Sequence, residues 1–456
     1  MRSNAGGRAS ARSETSKKNR TKNSKQLYKL LFMYYSVYIG SKTRMAAYNA
    51  WRKALLLTVR KAGNAKGEKT MYRYRLATSP VVFGEGTVKQ TGEEIKTLLG
   101  LKKVLVVTDE VMEKQDGFKA LLKSLEDAGI AYEVYNKCQP DPPDYSVMEG
   151  VDQLRKMGGD GLVAFGGGSI IDTAKGISVM LNNPPPVSKY EWVAVKEKGV
   201  PLVAIPTTSG TGSESTTVAV ISDTSNRKRK FVLLESASLA ILDPELTYTA
   251  PPGLTAGNGM DVFSHASECF YTAINNAYSD VLAINALERV CKYLPAAVND
   301  ADKTARQEMM QASNFAGVAF TIGGVNAGHC IAHAMGATLG IPHGVACANA
   351  MAAYPSFIIK YSPGNIQKQA KGVGIEVTSG MTEPEIAGMI EKKVHELLKA
   401  IKLPSLKEMG FTREQVTADQ IVELTMIDPS LKRIPEPLPT PEEIRAWAGQ
   451  IYDTYQ

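Results

Sequence analysis

Leu162-Val163-Ala164-Phe165-Gly166-Gly167-Gly168-Ser169-Ile170-Ile171-Asp172-Thr173-Ala174-Lys175 joins a short apolar strand to a helical pattern through a turn made of glycine. A strand with no polar alternation is one covered on both faces, as in a parallel sheet. Glycines at a strand-to-helix junction let backbone N–H groups approach an anion closely, and the helix N-terminus adds partial positive charge. A tight turn with no ligand is the simpler alternative for these residues alone. A second loop, Pro206-Thr207-Thr208-Ser209-Gly210-Thr211-Gly212-Ser213-Glu214, also follows an apolar run and supplies five hydroxyls. Two such loops at strand ends in one sheet favour a nucleotide.

Working outward, β-rich runs at 104–108, 132–135, 162–165, 202–205, 218–221 and 239–242 alternate with helical stretches. This predicts an N-terminal α/β nucleotide-binding domain, an open and mostly parallel sheet, over residues 71–250. A first strand is expected directly after Met71. Beyond Pro251-Pro252 the β-rich runs stop. Helical patterns at 255–273, 278–293, 303–320, 328–339, 383–402 and 442–455 predict an all-α C-terminal domain over 251–456.

Residues 1–70 hold 17 Lys/Arg against 2 Asp/Glu, leaving 36 against 44 for the rest. The body is acidic, so the net charge of +7 gives no reason to expect nucleic acid as a partner. The basic leader reads as disordered to about Lys25, and its apolar run at 27–39 is short of the roughly 20 residues that span a bilayer. An organelle transit peptide, a poor secretory signal and translated upstream sequence each fit it. The third is preferred, with Met71 as the start. Five cysteines, odd in number and without a CxxC pair, suit reduced thiols and a cytoplasmic setting.

Four of the five histidines fall between 265 and 343. Asp261 and His265 stand at i and i+4, as do His329 and His333, and on a helix each pair projects toward one point. His343 follows Pro342. A lone histidine in an apolar stretch is more often a hydrogen-bonded core residue than a ligand, but this clustering suits one carboxylate and three imidazoles around Zn²⁺ or Fe²⁺. His395 lies off the apolar stripe of its helix and is expected to face solvent. Asp109 follows the 104–108 run. It reads either as a helix N-cap or as the acceptor of an adenosine ribose 2′-hydroxyl, which would favour NAD over NADP.

These landmarks, with Phe83-Gly84-Glu85-Gly86, Asp243-Pro244-Glu245-Leu246-Thr247, Gly259-Met260-Asp261 and Pro342-His343-Gly344, make the chain similar to the iron-containing (group III) alcohol dehydrogenases of the dehydroquinate synthase-like superfamily. The likeness runs from about Met71 to the C-terminus. It implies metal ligands at Asp261, His265, His329 and His343, with His333 near nicotinamide and substrate as proton relay. It implies NAD contacts at Asp109, Gly167, Gly168, Ser169, Thr207, Thr208, Thr216, Lys230 and Leu246. The implied activity is hydride transfer between NAD(H) and a small primary alcohol, diol or aldehyde at a Lewis-acid Fe²⁺ or Zn²⁺, in a homodimer or higher homo-oligomer without a membrane partner. Glycerol-dehydrogenase-like, hydroxyacid-oxoacid transhydrogenase and non-redox dehydroquinate-synthase-like activities are the alternatives. Gln139-Pro140-Asp141-Pro142-Pro143 and Arg433-Ile434-Pro435-Glu436-Pro437 depart from the family's PNP and NPR runs.

Overall fold

A computed structural model describes residues 79–195, 197–225 and 229–455, so the leader, the strand expected directly after Met71 and Lys228 lie outside the described residues. The strands are β1 (Val81–Phe83), β2 (Lys103–Val107), β3 (Ala131–Tyr135), β4 (Gly161–Gly166), β5 (Leu202–Pro206), β6 (Val218–Asp223), β7 (Arg229–Leu234) and β8 (Leu239–Leu242). Six of them form a sheet in the order β1-β8-β5-β4-β2-β3, parallel throughout. Every residue of β4 is buried.

Alternation along these strands builds two cores. Leu105, Val107, Leu162, Ala164, Leu202 and Ala204 face one side. There they meet Val147, Val151 and Leu154 of α2 (Asp144–Met157) and Ile170, Ile171, Ala174 and Ile177 of α3 (Gly168–Leu181). Val104, Val106, Val163, Phe165, Val203 and Ile205 face the other, against Phe118, Leu121 and Leu125 of α1 (Asp116–Asp127). Each fully buried side chain of this kind contributes roughly 1.5–3 kcal/mol relative to exposure, which is why the sheet is covered on both faces.

One expected member of the parallel sheet is elsewhere. β6 pairs antiparallel with β7, from Val218↔Leu234 to Asp223↔Arg229, in a separate two-stranded sheet. Ala219, Ile221, Phe231 and Leu233 pack this hairpin onto the α3 side of the main sheet. An apolar run shows that a strand is covered but not which strand it pairs with, and β7, broken by charged residues, gave no strand signal.

Among the described residues no strand follows β8. The main helices are α4 (Pro252–Cys269), α5 (Ala277–Asn299), α6 (Lys303–Gly323), α7 (Ala327–Leu339), α8 (His343–Met351), α9 (Glu383–Ala400), α10 (Asp419–Ile427) and α11 (Pro441–Thr454). Helix α4 is buried along most of its length, packed among α5, α6 and α8. His395 on α9 does not face solvent. It is half-buried, its Nε2 lies 3.0 Å from the Ala352 carbonyl, and its ring stacks on Tyr455, because the stripe's flank is covered by the C-terminal segment. No single described helix is long and apolar enough to cross a membrane.

Candidate active site

The sheet's strand order reverses beside β2: β3 lies on one side and β4 on the other. In open α/β sheets ligands bind at such a switch point, beyond the carboxyl ends of the strands. Asp109 and the Gly166–Gly168 turn stand there. Gly166 has φ of 154°, and a Cβ on it would lie 2.1 Å from Ile170 Cδ1. Gly167 is the N-cap of α3. A Cβ on Gly168 would come within 2.6 Å of Thr211 Cγ2, so the glycine turn and the hydroxyl loop touch. Gly167, Gly168, Ser169 and Thr208 are half-buried along this edge, and Thr207 is buried, its N–H donating to the Gly166 carbonyl at 3.1 Å.

The second loop is clamped from below by α3. Lys175 is fully buried and donates to the Ser213, Thr216 and Val218 carbonyls and to Thr216 Oγ1 at 2.6–3.0 Å. Burial lowers its pKa to about 8. Asp172 accepts from Ser213 Oγ at 2.5 Å and Val220 N at 2.8 Å. The Thr216 hydroxyl is thus committed inside the protein and is not brought to the cradle. Asp109 Oδ1 caps the chain, accepting from Val111 N at 2.8 Å and Met112 N at 2.7 Å, and its second oxygen takes no part in that cap. Lys230 pairs with Asp141 at 2.6 Å. Leu246 packs toward α1, where a Cβ on Gly117 would meet its Cδ2 at 2.3 Å.

In the helical part, α4 carries Asp261 and His265, α7 carries His329 and His333, and His343 is the first residue of α8. Two glycines bring α8 onto α4: a Cβ on Gly344 would lie 2.2 Å from the Gly257 carbonyl oxygen. As a result Asp261 Oδ1 stands 3.6 Å from His265 Nε2, 3.5 Å from His329 Nε2 and 3.5 Å from His343 Nε2. Asp261 Oδ1, His329 Nε2 and His265 Nδ1 are buried and have no hydrogen-bond partner. Burial pushes the His265 imidazole down to about 3, which leaves it neutral, as a ligand must be.

Three features that the sequence reading did not single out complete the site. Glu268 Oε1 meets His329 Nδ1 at 2.5 Å, and Oε2 accepts from Asn326 N at 2.5 Å. That carboxylate fixes the His329 ring with Nε2 turned to Asp261. Gly328 makes room for it, since a Cβ there would lie 2.6 Å from Glu268 Oε1. Asp428 Oδ2 lies 2.9 Å from His333 Nδ1, and its other oxygen accepts from Ser430 N at 2.8 Å. Cys347, one turn after His343, joins Asp261, His329 and His343 in a group of donor atoms within 4.8 Å of one another. The i, i+4 and i, i+3 spacings could have flagged Cys347 and Glu268. Asp428 is 95 residues from His333 and had no local signal.

His333 stands beside this group and not in it, its ring stacked on His343 at 5.3 Å between centroids. Burial pushes its pKa down, so it is neutral. An ionised Asp428 has no proton to give, so the His333 Nδ1–H donates and Nε2 keeps a lone pair. A cavity of about 430 Å³ lies between α5 and Phe315 of α6 and includes none of these residues.

The chain matches the family models described as iron-containing alcohol dehydrogenase, over residues 78–244, and Fe-containing alcohol dehydrogenase family, C-terminal, over 255–446. It is similar to the choline dehydrogenase of Bacillus subtilis, 35% identical over 79% of this chain and 91% of that protein. It is 40% identical to the NAD-dependent methanol dehydrogenase of Bacillus methanolicus over 58% of this chain and 70% of that one. Among solved structures, the alcohol dehydrogenase from Oenococcus oeni superposes with a TM-score of 0.78 at 30% identity, covering 83% of this chain and all of that one.

Proposed function

Because the chain belongs to the iron-containing alcohol dehydrogenase family, we propose that it interconverts small primary alcohols or diols and the matching aldehydes, using NAD(H) and a divalent ion, Fe²⁺ or Zn²⁺. The observation that carries this reading is the Asp261 oxygen, buried without a hydrogen-bond partner and faced by three imidazole nitrogens at 3.5–3.6 Å. A buried carboxylate oxygen with no hydrogen-bond partner is costly unless a cation joins it. The donor set of carboxylate and imidazole fits a divalent ion held by Asp261, His265, His329 and His343. When bound, the ion supplies Lewis acidity toward an alcohol or carbonyl oxygen and NAD supplies the hydride acceptor.

The chain's own groups do the rest. His333 Nε2 receives the hydroxyl proton during oxidation and returns it during reduction, and Asp428 holds the ring in the tautomer that permits this. Backbone N–H groups of Gly167, Gly168 and Ser169 hold the diphosphate at the N-terminus of α3, with Thr207 and Thr208 beside them. Asp109 accepts the ribose 2′-hydroxyl through the oxygen not used in the cap. Lys230 and Leu246 complete the cofactor contacts, and Thr216 serves them only through the Lys175 clamp. The functional halves are residues 71–250 and 251–456, active in the cytoplasm as a homodimer or higher homo-oligomer. Five unpaired cysteines support the reducing compartment.

The test is anaerobic purification with metal analysis, followed by a screen of C2 to C4 alcohols, diols and aldehydes with NAD(H) and NADP(H). About one ion per chain and turnover of one of these classes with NAD are expected. A protein that binds no divalent ion, or turns over none of these substrates, would overturn the reading.

A further inference from the structure

Cys347 stands four residues after His343 on α8, so both side chains project toward one point. Its side chain is fully buried, and Sγ lies 3.6 Å from His343 Nε2. Bonds of about 2.0–2.1 Å to nitrogen and about 2.3 Å to sulfur set tetrahedral edges of about 3.3 Å between nitrogens and about 3.6 Å between nitrogen and sulfur. The observed spacing, which also fits a thiol–imidazole hydrogen bond, matches two ligands on one ion. Independently, the sulfur faces Asp261 Oδ1 and His329 Nε2, both buried without a hydrogen-bond partner on side chains only 3% and 4% exposed. Cys269, also buried nearby, is committed elsewhere, its Sγ lying 3.0 Å from the His265 carbonyl.

We propose that Cys347 is a further, thiolate ligand of the metal centre, beside the carboxylate and imidazoles. On ligation the thiol proton passes to water as the sulfur–metal bond forms, and no electron is transferred. A soft donor of this kind favours Zn²⁺ over Fe²⁺ relative to an all-nitrogen-and-oxygen site. The inference rests on the metal reading above, and its test separates the two.

The full chain, stripped of metal and reloaded with Co²⁺, is analysed for cobalt content and for near-ultraviolet absorption. Wild type is expected to hold about one cobalt per chain and to show an intense thiolate-to-cobalt charge-transfer band. Cys347→Ser and Cys347→Ala are expected to lose that band while still taking up cobalt. Bound cobalt without the band in wild type overturns the thiolate ligand and leaves the metal site standing. A band that survives in Cys347→Ser also overturns it, since another cysteine must then be the donor. Failure of wild type to take up cobalt overturns both.

Discussion

At the edge of the parallel sheet the groups proposed to hold the diphosphate belong to the backbone, whereas those proposed to hold the metal in the helical part are side chains from α4, α7 and α8. The first arrangement depends on atoms that are missing: a Cβ on Gly168 would meet Thr211 at 2.6 Å, and one on Gly166 would meet Ile170 at 2.1 Å. The second depends on atoms that are present, three imidazoles around one carboxylate oxygen. The cradle should therefore tolerate loss of side chains and fail on their addition, and the cluster should do the reverse.

The sharpest break in that comparison is deletion in the cluster. Asp261→Ala and His343→Ala should each remove most of the bound ion and lower kcat by on the order of a thousandfold or more, since Lewis-acid stabilisation is worth several kcal/mol. Circular dichroism should show the α/β part still folded. A His343→Ala protein with full metal content and normal turnover would sink the cluster as the catalytic centre.

Glu268→Gln keeps the shape beside His329 and removes the charge. Metal affinity should fall about 10- to 100-fold, the usual cost of disturbing a group that orients a ligand. Competition with a chelator of known affinity measures this, and an unchanged dissociation constant would show that His329 needs no orienting carboxylate.

Asp428 tests the cluster's flank through pH. Burial pushes its carboxyl up, but the His333 hydrogen bond and the Ser430 N–H outweigh it and bring the pKa down to about 2 from 3.8. A carboxyl held below its ordinary value contributes stability above that value and loses it as pH falls toward the folded one. Asp428→Asn should thus cost about 2 kcal/mol at pH 7, and the difference should narrow at pH 3. Urea titrations at the two pH values decide it, and a gap of constant size would show that the carboxylate charge is not the stabilising element.

In the cradle the sign of the change reverses. Gly168→Ala adds one carbon against Thr211 and should raise KM for NAD about tenfold with kcat and metal content little changed. Thr208→Ala removes atoms at the same edge and should do less. Equal damage from both would erase the distinction drawn between the two regions.

The same distinction explains what could be read in the amino-acid order. A backbone cradle is contiguous, so Gly166 to Ser169 disclosed both the turn and its position between strand and helix. Helical spacing likewise disclosed the pairs Asp261 with His265 and His329 with His333. What it could not show was convergence. The approach of α8 to α4 rests on Gly257 and Gly344, 87 positions apart, and neither glycine looks unusual alone. Asp428 reaches His333 only through the path of the C-terminal segment. The β6–β7 hairpin was lost for the same reason, because an apolar run reports burial and not its pairing partner. Lys175 reaches Thr216 across 41 positions and Lys230 meets Asp141 across 89, contacts with no local signal in the chain.

The smallest expected effect lies at Asp109, the acidic side chain of the backbone region assigned to the ribose. Its Oδ1 already accepts from Val111 N and Met112 N, so replacing it with glycine or alanine would mix loss of a cap with loss of charge. Asp109→Asn keeps an oxygen for the cap and removes only the charge. If the second oxygen reads the ribose 2′-hydroxyl, the like-charge penalty against a 2′-phosphate goes, and the ratio of kcat/KM for NADP to that for NAD should rise about tenfold. Thermal stability should hardly move. Asp109→Ala should show the same shift in preference with about 1 kcal/mol lost from the cap, so the pair of variants separates recognition from architecture. An unchanged ratio in Asp109→Asn, or a wild type that already prefers NADP, would mean that Asp109 is only a cap and that the cradle selects its cofactor through the backbone alone.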